Sequence, residues 1–197
     1  MTRIAFLRHG PTDWNAQGRI QGHTDIGLSE TGIARMAALR LPPLCDGARV
    51  YVSPLSRARH TARLLGLDDA NTDARLMEQN WGAWEGLTRD DILSRHGADA
   101  FLRAGTAAAF RPGGGESTAE LHDRVDDFLR DVAQGEGDAV AVAHLGVLRA
   151  AYTLATGWDM ATPMPPDLDV SKILVLSLDG SAPRIEQLNL DFLTRTA

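Results

Sequence analysis

The segments Arg3–Leu7, Arg49–Val52 and Asp138–Ala143 are apolar along nearly their whole length, without alternation between polar and apolar positions. Each is followed by polar residues suited to starting a helix. Strands that are apolar on both faces belong to a parallel sheet covered by helices on both sides. The intervening pattern predicts those helices. One runs from about Ser29 to Leu41. A second follows Ser53-Pro54, with serine as the N-cap and proline at the first helical position, and ends near Gly66. Ser117-Thr118-Ala119-Glu120 is a capping box that opens a helix to about Ala133. A further helix follows His144 to about Thr156. The C-terminal pattern differs: Lys172–Leu178 and Arg184–Leu188 are strands joined around Asp179-Gly180, a hairpin signal. The whole pattern predicts an α/β fold, a three-layer α/β/α sandwich with a mostly parallel sheet. Residues 75–115 break the alternation. They hold two tryptophans, a helix near Thr88 to His96 and the turn Pro112-Gly113-Gly114-Gly115, and are expected to form a small cap over one end of the sheet.

The chain of 197 residues matches one domain, spanning residues 1–197, at roughly 150 residues per domain. A formal net charge of −6 disfavours nucleic acid as a partner, because an acidic chain repels phosphate backbones. Positive charge for an anionic ligand must then come from a few arginines at one place; Lys172 is the only lysine. Cys45 is the only cysteine, so no intrachain disulfide forms, and its place after Pro42-Pro43 marks a packing or loop residue. No apolar run approaches the roughly 20 residues of a membrane span, and residues 1–7 do not resemble a signal peptide. The expected location is the cytoplasm. Oligomeric state is left open, a homodimer included.

Open α/β sheets bind ligands at the carboxyl ends of their strands. The first predicted strand ends at Arg8-His9-Gly10, the second at Ser53-Pro54 with Arg57 one turn further on, and the third at His144. Taken singly, His144 and Arg57 read as packed or solvated residues, and His9 is undecided. Their recurrence at three strand ends of one sheet favours a joint role. Two guanidinium forks suit phosphate oxygens, and helix N-termini add backbone N–H donors. An imidazole can attack phosphorus while a second, protonated one steadies the equatorial oxygens. Phosphoryl transfer needs in-line positioning and charge neutralisation above all. The sequence has no HExxH motif, no tight His/Asp cluster and no cysteine pair, so neither a metal nor another cofactor is expected.

The run Arg8-His9-Gly10-Pro11-Thr12-Asp13-Trp14-Asn15 resembles the opening motif of the histidine phosphatase superfamily, in its phosphoglycerate mutase-like branch. The resemblance continues in order through Gly18–Gly22, Asp25–Gly32, Ser53–Ala58, Glu78, Trp84-Glu85-Gly86 and Pro112–Ser117, and closes at His144. It implies that His9 is a phosphorylated nucleophile. It further implies that Arg8, Arg57 and His144 hold the phosphoryl oxygens, with Asn15 as another donor and Gln21 facing the substrate. Glu78 would protonate the leaving alcohol and then activate water. Glu85 is the second candidate acid, with a structural role preferred, and Glu116 would be a local partner of the helix that follows it. One departure stands out: the family commonly has His-Gly-Gly where this chain has His144-Leu145-Gly146, which sets a side chain over the phosphate pocket.

The expected function is metal-independent hydrolysis of a small phosphorylated metabolite. The alternatives are phosphoglycerate mutase-type transfer, disfavoured by the shortness of the chain around the site, and a non-catalytic module that binds a phosphorylated ligand. Family members of the ribazole phosphate, sugar phosphate and phosphoserine phosphatase kinds share these motifs. Trp81, Trp84, Phe101 and Phe110 either shape an apolar substrate site or fill the cap's own core.

Overall fold

A computed structural model describes residues 2–106, 109–159, 164–180 and 182–195. The central sheet is built from β1 (Thr2–Arg8), β3 (Arg49–Val52), β4 (Asn71–Thr72), β5 (Ala139–Ala143), β6 (Ile173–Leu178) and β7 (Arg184–Leu190), in the order β4-β3-β5-β1-β6-β7. The pairs β4/β3, β3/β5 and β5/β1 are parallel; β1/β6 and β6/β7 are antiparallel. A separate two-stranded sheet joins β2 (Leu39–Arg40) to β8 (Leu193–Thr194).

Successive strand residues point to opposite faces, and both faces here are apolar. Ile4 and Phe6 of β1, Ala139 and Ala141 of β5, and Leu174 and Leu176 of β6 pack under α6 (Thr118–Gln134) and α7 (Leu145–Thr156). Ala5 and Leu7, Val140 and Val142, and Ile173 and Val175 face the other way, against Met36 of α2 (Glu30–Ala37) and Ala58 and Ala62 of α3 (Ser56–Leu64). Helices on both faces explain why the strands carry no alternation. The three-layer sandwich expected from the sequence is thereby present.

Two predicted helix boundaries differ. The helix that starts at Ser29, whose hydroxyl accepts from the Gly32 N–H, ends at Ala37 and not at Leu41. Leu39 and Arg40 instead pair with β8, a contact made by residues more than 150 positions later. The helix expected to be capped by Ser53 begins at Ser56, with Leu55 in the cap position and no side-chain cap of its own. Its first turn is held by Asp25, whose Oδ1 accepts from the Ser56 N–H at 2.7 Å and from the Ser56 hydroxyl at 2.8 Å. The Ser117 capping box forms as expected, and α6 runs to Gln134.

The register sets the strand ends level. Arg8 lies opposite Ala143, and Val52 opposite Val142. The ladder continues one step further: His9 N–H donates to the Ala143 carbonyl and Ser53 N–H to the Val142 carbonyl, both at 3.0 Å. His9, Ser53 and His144 therefore leave the sheet at one edge. Near that edge the chain between β4 and α6 forms the cap, which contains α4 (Arg89–His96) and α5 (Ala100–Thr106); the single-turn α1 (Asp13–Ala16) lies outside that segment, with its Trp14 against Gly86. Trp84, buried at 2 % exposure, packs with Ile92 and Ala100 and lies 5.8 Å from the Phe101 ring and 6.1 Å from the Phe110 ring. These aromatics fill the cap's own core, with Trp81 stacked on their margin.

Candidate active site

The end of β1 places His9 beside His144, with ring centroids 5.0 Å apart. His9 Nδ1 lies 2.7 Å from the Gly10 carbonyl. A carbonyl only accepts, so Nδ1 carries the proton and Nε2 keeps its lone pair. Burial, helped by the positive charges of Arg8 and Arg57, pushes the His9 pKa down to about 3. The ring is therefore neutral across the physiological range. The turn that holds it is fixed from α3: Gly10 N–H donates to Thr61 Oγ1 at 2.9 Å, and that hydroxyl donates to the Arg57 carbonyl at 2.7 Å.

His144 is fully buried, and its Nε2 lies 2.8 Å from the Ser53 hydroxyl. Its Nδ1 is buried without a partner. Burial lowers its pKa well below the ordinary value, and His9 and the nearby arginines add to the effect. Arg57 is also fully buried; it donates to the Gly22 carbonyl at 2.8 Å and the Thr24 carbonyl at 3.1 Å. The Nε atoms of Arg8 and Arg57 are buried without partners. Two N–H donors, on Arg8 and Arg57, and one ring nitrogen of His144 are thus buried near His9 with nothing in the protein to satisfy them, and buried polar groups are seldom left so. Such a cluster suits an oxyanion.

Glu78 sits on the loop between β4 and the cap, 8 % exposed. Its Oε1 accepts from the Gln79 N–H at 2.8 Å, and both carboxyl oxygens accept from the Gly146 N–H, at 2.9 and 3.2 Å. Burial raises its pKa, against the opposing pull of that hydrogen bond and of Arg57 and Arg8. A Cβ at position 146 would overlap Glu78 Oε1. Glycine at the second position after His144 is thus a requirement of close approach, while Leu145 at the first lines the cavity wall. Arg124 steadies the loop, donating to the Glu78 carbonyl at 3.2 Å and to both oxygens of Glu116 at 2.6 and 2.9 Å. Glu116 is thus an ion-pair partner of Arg124, and its Oε2 also accepts from the Asn80 N–H.

Glu85 does a different job. Its two oxygens accept from the backbone N–H groups of His23, Thr24 and Trp81 at 2.9, 2.7 and 3.2 Å. The Thr24 hydroxyl also donates to Oε2, and it and these backbone bonds hold the pKa of Glu85 down despite partial burial. It binds together the loop that presents Gly22 and Thr24 to Arg57. Asn15 closes the capping box of α1, its Oδ1 accepting from the Thr12 N–H and hydroxyl. Gln21 donates to Thr12 Oγ1 at 2.6 Å, and its Oε1 is buried without a partner.

A cavity of about 150 Å³ opens here, lined by Arg8, His9, Asn15, Gln21, Glu78 and Leu145 from the predicted set. Arg57 and His144 are fully buried and do not line it. Trp81, one of the aromatics weighed above for an apolar substrate site, also lines it, and so does Arg149, which the sequence pattern does not single out. For Arg149 the available signal was spacing: it follows Leu145 by four residues on one helix, and so shares its face. Ser53 was missed as the partner of His144 because its sequence context is that of a helix cap. A second cavity, about 160 Å³, reaches His9 from the side of Met36 and Phe192, and Glu78 does not line it. Among the described residues no group of three or more His, Cys, Asp or Glu side chains is arranged to hold a metal ion, and no helix is long and apolar enough to cross a membrane.

Comparison with known proteins places the chain in a family. A sequence model described as the histidine phosphatase superfamily (branch 1) matches residues 4–191. The chain is 35 % identical over 166 residues to the metal-independent phosphoserine phosphatase of Arabidopsis thaliana, covering 79 % of this chain and 69 % of that protein. It is 28 % identical over 201 residues to phosphoserine phosphatase 1 of Hydrogenobacter thermophilus, covering 96 % and 93 %. Among solved structures, a mycobacterial glucosyl-3-phosphoglycerate phosphatase in complex with VO3 superposes with a TM-score of 0.80 at 28 % identity, covering 97 % of this chain and all of that one. The chain belongs to the histidine phosphatase superfamily, branch 1, and is a phosphatase.

Proposed function

We propose that the protein hydrolyses small phosphomonoesters without a metal, through a phosphoryl group carried on His9 Nε2. The observation that carries this reading is the set of unpartnered buried donors on Arg8, Arg57 and His144 around an imidazole whose Nε2 keeps its lone pair. Those donors neutralise the phosphoryl oxygens, the main requirement of phosphoryl transfer, and Asn15 and Gln21 stand at the mouth of the same cavity. A bound dianion favours the protonated form of His144, which then adds a charged donor.

In the first step Nε2 attacks phosphorus and the bond from phosphorus to the ester oxygen breaks. Glu78, held toward its neutral form, gives its proton to the departing oxygen. In the second step water attacks phosphorus, its proton passes to the Glu78 carboxylate, and the bond from Nε2 to phosphorus breaks. Inorganic phosphate leaves and both side chains return to their starting states. Glu78 lines the cavity under the cap and not the one beside Met36, so the leaving group lies under the cap. Relatives named for phosphoserine and for glucosyl-3-phosphoglycerate support a small metabolite as the substrate.

The test is turnover of para-nitrophenyl phosphate in the presence of EDTA, wild type beside His9→Ala, with an alkaline quench and mass spectrometry to trap phosphohistidine. Turnover that survives EDTA and is lost in the variant is expected, with the added phosphoryl mass on the peptide that contains His9. Undiminished turnover by His9→Ala would overturn the assignment.

A further inference from the structure

Arg149 has no part in the steps above. It lies on α7 four residues after Leu145, and it lines the cavity under the cap together with Glu78, Gln21 and Trp81. Side chains on a helix lean toward its N-terminus, here the end where His144 and Gly146 stand. The Arg149 guanidinium carbon is 5.3 Å from the centre of the Trp158 ring, so one face of the group is packed. Its Nε is buried without a hydrogen-bond partner, and among the described residues it joins no ion pair. Glu78 is the carboxylate whose charge reaches it, and Glu78 is itself held toward neutrality. The side chain is half-buried, and a guanidinium left without a counter-charge keeps donors free for an anion. In the mechanism proposed above, Arg8, Arg57 and His144 already supply the counter-charge of the phosphoryl group, which leaves Arg149 for another anion.

We propose that Arg149 is a specificity residue that receives a carboxylate of the substrate, so that the preferred substrates are phosphomonoesters bearing a carboxylate on the leaving group. The inference rests on the phosphatase reading and deepens it. A single planar fork matches one carboxylate in bidentate fashion. A second phosphate dianion would call for more than this one cation. Of the other two arginines that line the cavity, Arg8 serves the phosphoryl group and Arg19 is occupied by Gln17 and the Gly86 carbonyl. The placement is also chemically consistent: Arg149 lines the same cavity as Glu78, the proposed donor to the leaving-group oxygen.

The experiment compares kcat/KM for matched substrates that differ by the carboxylate: O-phospho-L-serine against O-phosphoethanolamine, and 3-phosphoglycerate against glycerol 3-phosphate. Wild type, Arg149→Gln and Arg149→Lys are measured, with para-nitrophenyl phosphate as a common reference. Wild type should prefer the carboxylated member of each pair at least about tenfold, the scale of a charge-assisted hydrogen bond. Arg149→Gln should reduce that ratio by about ten- to a hundredfold, and Arg149→Lys should retain part of it, a point charge without the fork. A wild-type ratio near one overturns the inference even if no variant folds. An equal loss on both members of each pair in Arg149→Gln also overturns it and assigns the residue to packing against Trp158. Absence of wild-type turnover on para-nitrophenyl phosphate would instead sink the phosphatase reading, and this inference with it.

Discussion

Substituting Gly146 by alanine isolates the placement of Glu78 from the rest of the chemistry. The Gly146 N–H binds both carboxyl oxygens of Glu78, and a Cβ on the same residue would overlap Oε1. Leu121 Cδ2, 3.5 Å from that Cβ position, bounds the space on another side. The backbone of α7 is held by its own helical bonds and by the Leu148 N–H to His144 carbonyl bond at 3.0 Å, so the carboxyl group is the part that moves. Relief requires a displacement on the order of 1 Å, and a misplacement of that size costs on the order of 10²-fold in rate. A general acid is worth about 10²–10⁴-fold, so Gly146→Ala should lower kcat/KM on an alkyl phosphomonoester about 100-fold, equivalent to about 2.7 kcal/mol. Para-nitrophenolate leaves with little need of a proton, and its ester should lose less than about tenfold. Folding should survive, because alanine inside a helix is favoured over glycine by about 0.5–1 kcal/mol. The assay is steady-state hydrolysis of both substrates by the purified variant, with its thermal midpoint recorded alongside. Full activity on the alkyl ester, or equal losses on the two esters, would refute the argument that this glycine exists to seat the acid.

Three further outcomes are expected. In a pH–rate profile on an alkyl phosphomonoester, activity should fall as pH rises through the raised Glu78 pKa, since the proton needed by the leaving group is then lost; Glu78→Gln should remove that limb. On the acid side His9 stays neutral until its pKa of about 3, so protonation of the nucleophile should cost no activity at pH 5. Ser53→Ala strips Nε2 of His144 of its one hydrogen bond; kcat should fall about tenfold, and chemical denaturation should show a loss of about 1–3 kcal/mol, the cost of leaving a buried polar group unpaired. Trp84→Ala empties the middle of the cap core, and about 3–5 kcal/mol of lost packing should appear as proteolysis within residues 81–115 and as a raised KM, because Trp81 stacks on Trp84 and lines the cavity.

What could be read from the chain divides along a physical line. β1, β3 and β5 are buried on both faces, so their apolar runs announce themselves locally, and the register that levels their ends follows from their being parallel neighbours. That much placed His9, Arg57 and His144 at one edge before any likeness to a family was used. Glu78 was not reachable in this way. It lies on a loop, and its approach to the site depends on Gly146, 68 residues later, which no local pattern connects to it. The early end of α2 was hidden for the same reason, since β8 supplies the partner of Leu39 and Arg40 from the far end of the chain.

Ser53 is the more instructive failure. Ser-Pro ahead of an arginine-rich helical stretch is a sound N-cap signal, and local rules assign it to the helix. The helix instead takes its cap from Asp25, and the Ser53 hydroxyl is turned to His144. A hydroxyl can both donate and accept, so it can donate to Nε2 of the neutral ring and accept from Nε2–H of the charged one. On the proposed mechanism this leaves Nδ1 to carry a proton in both states. A helix cap asks for an oxygen that accepts; the partner of an imidazole proposed to change charge during turnover asks for one that can reverse. Local signal and function call for the same residue type here on different grounds, which is why the sequence points to the residue and misassigns its role.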